Sequence, residues 1–321
     1  MNMRFPLVLL CALILSSCSH KISYRPSSNV KAHYDFTGTT TSLIKKDIGV
    51  ALVLGGGGAR AIAHLGVLAI LEENNIPVDL IVATSGGSII GALYADNPDA
   101  KSLKKIIQKM RVEDFVDFSV LSVIHGMHSL SSSFVDGRNG EKFLLKNMAA
   151  KNFEELKIPF IAVATDIVTG NTIPLNSGPI APAVRASCAI PGLFAPVEMY
   201  GMILVDGGVT APLGIDIAKR YKAQIIIAVD VTLPVEETRV HNVVELVFKS
   251  LRVNYSVLNN LLAKEADILI RPAITKVGIF DAHRKEDLYE AGRIAALKHI
   301  PEIKKQLSKK TNLLKRLLWQ K

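Results

Sequence analysis

The chain has 321 residues, of which 49% are hydrophobic and 21% charged, and its formal net charge is +9 at pH 7. This length allows one large hydrophobic core, and three cysteines are too few for a disulfide framework or a cysteine-rich metal centre. No acidic cluster has the pattern of a calcium loop, so we expect neither a metal ion nor another cofactor.

The first residues are typical of a bacterial lipoprotein signal peptide, which we assign to residues 1–17. A short basic start, Met1 to Arg4, precedes an apolar stretch, Phe5 to Leu15, that is too short to span a bilayer. Cys18 follows, and acyl chains on it would anchor the mature protein to a membrane outside the cytoplasm. The residue after the cysteine is Ser19 and not the aspartate that often retains lipoproteins in the inner membrane, which favours the outer membrane. An ordinary cleaved secretory signal is the alternative.

The rest of the chain divides by composition. Residues 18–47 are rich in Ser, Thr, Lys and Asn, which predicts a flexible tether. From residue 48 onward, short apolar strands alternate with helices, which predicts an α/β fold with three layers and a mostly parallel central sheet. We assign residues 48–240 to this domain and residues 241–321 to a helical extension packed on it. The segment 115–138 is either a lid or a plain connecting loop.

A glycine-rich loop follows the first predicted strand, Gly49–Leu54. It contains Gly56, Gly57 and Gly58 and leads through Arg60 into a helix. Backbone N–H groups at such a position favour an anion, either a phosphate or the oxyanion that forms on a carbonyl under attack.

Two nucleotide-binding alternatives fit this loop poorly. The dinucleotide fingerprint requires a glycine where Ala61 stands, and its acidic residue should end the second strand, whereas Asp79 begins it. A P-loop requires Gly-Lys-Ser/Thr after its spacer, and this tripeptide is absent from the loop.

Ser85 lies where a second apolar strand, Leu80–Thr84, turns into a helix. A serine at such a corner projects from the sheet toward a substrate, and the glycines after it, including Gly87, leave room for the turn. The usual pattern is Gly-x-Ser-x-Gly, and Ala83 replaces its first glycine.

Asp206 ends a third apolar strand, Ile203–Val205, and is followed by Gly207 and Gly208. A nucleophile, an anion-binding loop and a carboxylate therefore each lie at the end of a strand. Together they favour acyl transfer over nucleotide binding.

In these motifs the chain resembles the patatin-like phospholipase family. The resemblance covers about two hundred residues and rests on motifs that occur in the family's order: Gly56-Gly57-Gly58-Ala59-Arg60 with His64-Leu65-Gly66, Thr84-Ser85-Gly86-Gly87-Ser88, Ser187-Cys188-Ala189-Ile190-Pro191-Gly192, and Val205-Asp206-Gly207-Gly208-Val209.

The resemblance implies a Ser–Asp dyad acting on phospholipid or lysophospholipid esters. Ser85 would be the nucleophile, Asp206 the base, and the amides of Gly56 to Gly58 the oxyanion hole. Arg60 is expected near the loop, either steadying it, meeting a lipid phosphate, or simply satisfying carbonyl groups. Ala61 and Ala83 depart from the family pattern by one methyl group each, which affects fine geometry more than reaction class.

Two alternatives differ in class. A Ser-His-Asp esterase of the α/β-hydrolase type would use a histidine after Asp206, and His241, His283 and His299 are available. None of these three lies at a strand end in a glycine-rich turn. A non-catalytic lipid-binding lipoprotein would make the arrangement of Ser85 and Asp206 a coincidence.

The C-terminal residues 301–321 carry seven basic side chains and one glutamate, interleaved with leucines and Trp319. This pattern predicts either an amphipathic helix on an anionic membrane surface or a helix docked on the domain by its leucines. Nucleic acid is not an expected partner, because no recognition motif is present and an exported protein would not meet it.

Overall fold

The structure is a computed structural model that describes residues 48–115, 135–235, 237–275, 277–278 and 281–318. The predicted signal peptide, Cys18 and the tether lie outside the described residues, as does most of the segment predicted as a lid or connecting loop.

Eight strands lie in the part of the chain that the structure describes: β1 Val50–Leu54, β2 Leu80–Thr84, β3 Phe160–Asp166, β4 Thr172–Leu175, β5 Val197–Met199, β6 Met202–Asp206, β7 Ile225–Val229 and β8 Ile268–Ile270. The α-helices of the same part are α1 Ile62–Glu73, α2 Gly86–Asp96, α3 Ala100–Lys109, α4 Arg138–Asn147, α5 Ile180–Ser187, α6 Ile215–Arg220, α7 Val243–Leu262 and α8 Lys285–Leu318.

The strands form one sheet in the order β5-β6-β3-β2-β1-β7-β8, with β4 also paired to β3. The central strands β3, β2, β1, β7 and β8 are parallel. At one side, β4 and β6 each pair antiparallel with β3, and β5 pairs antiparallel with β6. The predicted α/β fold with a mostly parallel sheet is confirmed.

Both faces of the sheet are covered, which is why its central strands are continuously apolar. In β1, Val50, Leu52 and Leu54 face a core built with α1 to α5 and α8, whereas Ala51 and Val53 face a second core with α6. Every residue of β1, β2, β3 and β7 is buried. Alternation of side chains therefore divides one apolar strand between two cores.

The C-terminal helix α8 packs on α1 at backbone contact. A Cβ atom on Gly292 would lie 2.0 Å from the Ala63 carbonyl oxygen, and one on Gly66 would lie 1.9 Å from the Tyr289 carbonyl oxygen. Any side chain at either glycine would push the two helices apart.

The segment 241–321, assigned to a helical extension, contains α7 and α8 and also β8, which pairs with β7 in the same sheet. The sequence also predicts this strand at Ile268–Ile270. Ile303 is buried in α8 and Leu307 packs against the core, so this part of the helix is docked. Side chains from residue 310 onward, with most of the predicted basic amphipathic tail, lie outside the described residues. No described helix has both the length and the apolar composition needed to cross a membrane.

Candidate active site

Ser85 occupies the sharp turn between β2 and α2. Its backbone has φ 53° and ψ −131°, a conformation that costs a residue with a side chain free energy and is typical of a nucleophile held at an exposed corner. Three hydrogen bonds hold this turn. The Ser88 amide and hydroxyl both donate to the Ser85 carbonyl oxygen, at 2.7 and 2.6 Å, and the Ser85 amide donates to the Ser187 hydroxyl at 2.9 Å.

The first two residues of α2 have to be glycines because the backbone of β1 and of the glycine loop lies against them. A Cβ atom on Gly86 would lie 2.6 Å from the Gly58 carbonyl oxygen, and one on Gly87 would lie 2.6 Å from the Leu54 carbonyl oxygen. The backbone of the serine turn is therefore in direct contact with the backbone of β1 and the glycine loop.

Asp206 lies at the end of β6 and is completely buried. Its Oδ1 accepts a hydrogen bond from the Gly208 amide at 2.7 Å, while Oδ2 is buried without a fully formed hydrogen bond to any described residue. The Ser85 side chain is close enough to Asp206 to interact with its carboxylate. The two predicted dyad residues are therefore brought together.

Burial raises the pKa of the Asp206 carboxyl to about 7, while interactions with the Ser85 hydroxyl and the Gly208 amide lower it by less. Asp206 is thus a far better proton acceptor than a carboxylate in water, whose pKa is near 4.

Asp206 reaches this position by a route that the sequence did not indicate. β6 is antiparallel to β3. If the two strands overlapped fully, the C-terminal end of β6, where Asp206 lies, would be at the edge of the sheet opposite the serine turn. The pairing of Ala164 with Asp206 and of Asp166 with Leu204 shows that β6 starts beyond the end of β3. Val163 of β3 pairs with Thr84, so Asp206 stops level with the serine turn.

The glycine loop has two kinds of amide. Gly55 donates to the Val229 carbonyl oxygen at 3.0 Å and Gly56 to that of Pro212 at 3.1 Å, so both N–H groups are engaged. The amides of Gly57 and Gly58 have no hydrogen-bond partner in the described part of the chain. Of the three predicted oxyanion donors, these two are available to a ligand, while Gly56 fixes the loop.

Arg60 anchors the same loop to later parts of the chain. Its Nε donates to the Val231 carbonyl oxygen at 3.0 Å and its Nη1 to that of Val277 at 3.2 Å. Burial, followed by repulsion from Arg252, lowers the pKa of Arg60 to about 10, so the group remains charged at neutral pH. Steadying the loop and satisfying carbonyl groups are both realised here.

His64 is buried beneath the loop, and its Nε2 lies 2.8 Å from the Gly55 carbonyl oxygen. Burial lowers its pKa to about 4, so the ring is neutral and Nε2–H is the donor. Its role is to hold the loop. His241 and His283 are exposed and His299 lies beside Glu302, so none of the described histidines contacts Ser85 or Asp206.

The remaining predicted residues support the site from below. A Cβ atom on Gly207 would lie 2.2 Å from the Val163 carbonyl oxygen, and one on Gly208 would lie 2.7 Å from the Tyr255 ring. Cys188 follows α5, packs against the core and lies 3.7 Å from the Ser88 hydroxyl. Burial raises its pKa, so its thiol is inert as a nucleophile.

Sequence reasoning assigned no role to Ser187 or Tyr255. Ser187 begins the motif Ser187-Cys188-Ala189-Ile190-Pro191-Gly192, which carries no reactive pattern. The Ser187 hydroxyl accepts from the Ser85 amide, 102 residues away in the chain. Tyr255 lies on α7, whose sequence has no local motif, and its ring covers Gly208.

The family model described as "Patatin-like phospholipase" matches residues 52–219. "Patatin-like phospholipase domain-containing protein 6" of Mus musculus is 36% identical over 207 residues, which are 64% of this chain and 15% of that protein. "Lysophospholipase nte1" of Aspergillus fumigatus is 36% identical over 184 residues, which are 57% of this chain and 12% of that protein.

The chain therefore spans 15% or less of the length of these two relatives. Among solved structures, VipD from Legionella pneumophila aligns with a TM-score of 0.46 and 15% identity, over 80% of this chain and 67% of that chain. ExoU from Pseudomonas aeruginosa, in complex with SpcU, aligns with a TM-score of 0.41 and 15% identity, over 80% of this chain and 53% of that chain.

Replacing the buried carboxylate is expected to stabilise the fold. The pKa of Asp206 is raised from 3.8 to about 7, so the folded protein holds this proton more tightly than the unfolded chain does. The free energy of unfolding therefore falls as pH rises from about 4 to 7. Each pKa unit corresponds to about 1.4 kcal/mol. Asp206→Asn should raise the free energy of unfolding in urea by a few kcal/mol at pH 8, and the gain should shrink at pH 4.5. A gain that is absent, or the same at both pH values, would contradict the burial argument.

Proposed function

This chain belongs to the patatin-like phospholipase family, and we propose that it is a serine acyl hydrolase of lipid esters, of the phospholipase A or lysophospholipase type, working through a Ser85–Asp206 dyad and an acyl-enzyme intermediate. The observation that carries the proposal is the Ser85 hydroxyl on its strained turn beside a buried carboxylate whose pKa is raised to about 7. The unengaged amides of Gly57 and Gly58 on the facing loop support it.

Acylation starts with attack of the Ser85 Oγ on the ester carbonyl carbon. Asp206 takes the hydroxyl proton as the new Oγ–C bond forms, and the negative charge moves to the carbonyl oxygen, where the Gly57 and Gly58 amides donate to it. The tetrahedral intermediate collapses when the ester C–O bond breaks. The leaving alcohol oxygen takes the proton from Asp206, and the acyl group remains on Ser85.

Deacylation repeats these steps with water as the nucleophile. Asp206 removes a proton from the water as its oxygen attacks the acyl carbon, and the same two amides hold the oxyanion. Breaking the Oγ–C bond returns the proton to Ser85 and releases a fatty acid. A single group with a pKa near neutrality serves as base and then as acid in both halves.

The substrate we propose is a phospholipid or a lysophospholipid. The names of the relatives support lipid esters as the class, since one is a lysophospholipase.

We propose further that the mature protein is a lipoprotein, held through acylated Cys18 on a membrane outside the cytoplasm, with the outer membrane favoured. Mass analysis of the mature N terminus should find acyl chains on Cys18, and an unmodified N terminus would remove the anchor.

Activity should depend on Ser85 and Asp206 and not on His241, His283 or His299. Ser85→Ala removes the nucleophile and Asp206→Asn removes the proton acceptor, so each should lower hydrolysis of a short-chain ester and of lysophospholipid about a thousandfold or more. The measurement is the initial rate of fatty-acid release by purified variants whose circular dichroism matches the parent protein.

The surface variants His241→Ala, His283→Ala and His299→Ala are the matched controls and should retain the parent rate. If any of them abolished turnover as fully as Ser85→Ala, a Ser-His-Asp mechanism would replace the dyad. Full activity of Ser85→Ala would remove the hydrolase proposal altogether.

The pH profile should report Asp206. Its ionised form is the base, so kcat/KM should be constant above about pH 8 and fall about tenfold per pH unit below pH 7. The profile is measured with a neutral ester, which has no titrating group in this range. A flat profile from pH 5 to pH 8 in folded protein would exclude Asp206 as the base.

A further inference from the structure

Two cavities meet at Ser85, and the second has the more polar wall. The first, here called the apolar cavity, lies between α2, α4 and α5. Its wall also contains Arg111 and Arg185, of which Arg185 is paired with Glu141. Most of its lining is aliphatic or aromatic and includes Ile62, Ile89, Ile90, Leu144, Val184 and Phe194. Its shape and lining suit an acyl chain.

The second cavity, here called the arginine cavity, lies between the glycine loop and α7. Gly57, Gly58 and Ser85 form one wall, and Arg60, Arg252 and Tyr255 contribute to the rest. Apolar side chains complete the lining: Ile190, Leu233, Phe248, Leu251 and Val277. Since Ser85 borders both cavities, an ester whose acyl chain occupies the apolar cavity places its alcohol part in the arginine cavity.

Arg252 brings a positive charge that no described carboxylate neutralises. Arg252 is itself exposed. Asp230, whose charge acts on the neighbouring Arg60, is already occupied, by Arg271 at 2.9 Å, by Asn259 at 2.7 Å and by the Thr232 amide at 2.9 Å. Arg252 also repels Arg60. Two guanidinium groups that line one cavity attract an anion.

Tyr255 lines the same cavity, and its hydroxyl lies near the Asp206 carboxylate. Its hydroxyl is buried and has no hydrogen-bond partner among the described residues, a costly arrangement unless a ligand completes it. Burial raises the pKa of Tyr255, so the hydroxyl stays protonated and can donate.

We propose that the arginine cavity binds the phosphate-bearing head group of the lipid, with Arg252 pairing with the phosphate and the Tyr255 hydroxyl donating to a head-group oxygen. This assignment rests on the proposed function and adds its specificity: the enzyme selects esters whose leaving alcohol carries an anionic phosphate. Arg60, with two of its nitrogen atoms held by carbonyl groups, adds charge behind Arg252.

The test compares two substrates with the same acyl chain, lysophosphatidylglycerol and monoacylglycerol, which differ by the anionic phosphoglycerol group that only the first carries. Arg252→Ala should lower kcat/KM for lysophosphatidylglycerol about tenfold or more, chiefly through KM, and leave monoacylglycerol unchanged. Arg252→Lys should restore part of the loss. Tyr255→Phe should lower the rate on lysophosphatidylglycerol while keeping the fold.

The matched control is Arg220→Ala, which removes one positive charge at the surface of α6, where Arg220 pairs with Asp216. It should change neither rate. Equal losses on both substrates in Arg252→Ala, or no loss on either, would overturn the head-group assignment while leaving the hydrolase proposal standing.

Binding separates the two proposals further. The Ser85→Ala protein should bind lysophosphatidylglycerol in a calorimeter, and Ser85→Ala combined with Arg252→Ala should bind it about tenfold more weakly. If the parent protein hydrolysed neither ester, the proposed function would fail, and the same titration would still decide whether Arg252 recognises the phosphate.

Discussion

The Asp206 carboxylate is buried away from bulk solvent, and the rest of the site is arranged around that constraint. The Asp206 amide donates to the Ala189 carbonyl oxygen, its carbonyl oxygen accepts from Thr165, and its Oδ1 accepts from Gly208. With the backbone fixed on both sides, the side chain cannot turn outward to water. Desolvation then raises its pKa, which gives a carboxylate the basicity that the chemistry needs and makes the native state less stable at neutral pH.

One short segment links both members of the dyad. Ser187 accepts from the Ser85 amide, and two residues later the Ala189 carbonyl accepts from the Asp206 amide. The segment from Ser187 to Ala189 carries no group suited to the reaction, because the Cys188 thiol is buried and its pKa is raised. Its contribution is geometric: it fixes the relative position of two residues that are far apart in the chain.

The glycine loop is fixed in the same manner, from below and from both sides. His64 donates to the Gly55 carbonyl, the Gly56 amide is bound to Pro212, and Arg60 holds carbonyl groups of Val231 and Val277. The amides left over are those of Gly57 and Gly58, which need no rearrangement to meet an oxyanion. Preorganised donors of this kind lower a barrier because no reorganisation accompanies the development of charge.

The apolar runs of the sequence predicted the central strands, because a strand buried on both faces has to be apolar throughout. They did not predict the helix at 138–147 or the antiparallel strands β4 and β5, whose formation depends on partners from elsewhere in the sheet. The prediction that Asp206 ends a strand is confirmed. The reason it reaches the serine turn is the offset of β6 against β3, which no local pattern encodes.

By itself, the sequence determined the family and the fold class and predicted which serine and which aspartate meet, since glycine-flanked turns after apolar strands leave a local signature. Tertiary structure alone decided which loop amides are free, that Ser187 holds Ser85, and that Arg252 and Tyr255 border the same cavity as the nucleophile. These properties depend on distances between residues separated by tens to hundreds of positions, and such distances exist only when the sheet and its helices have packed.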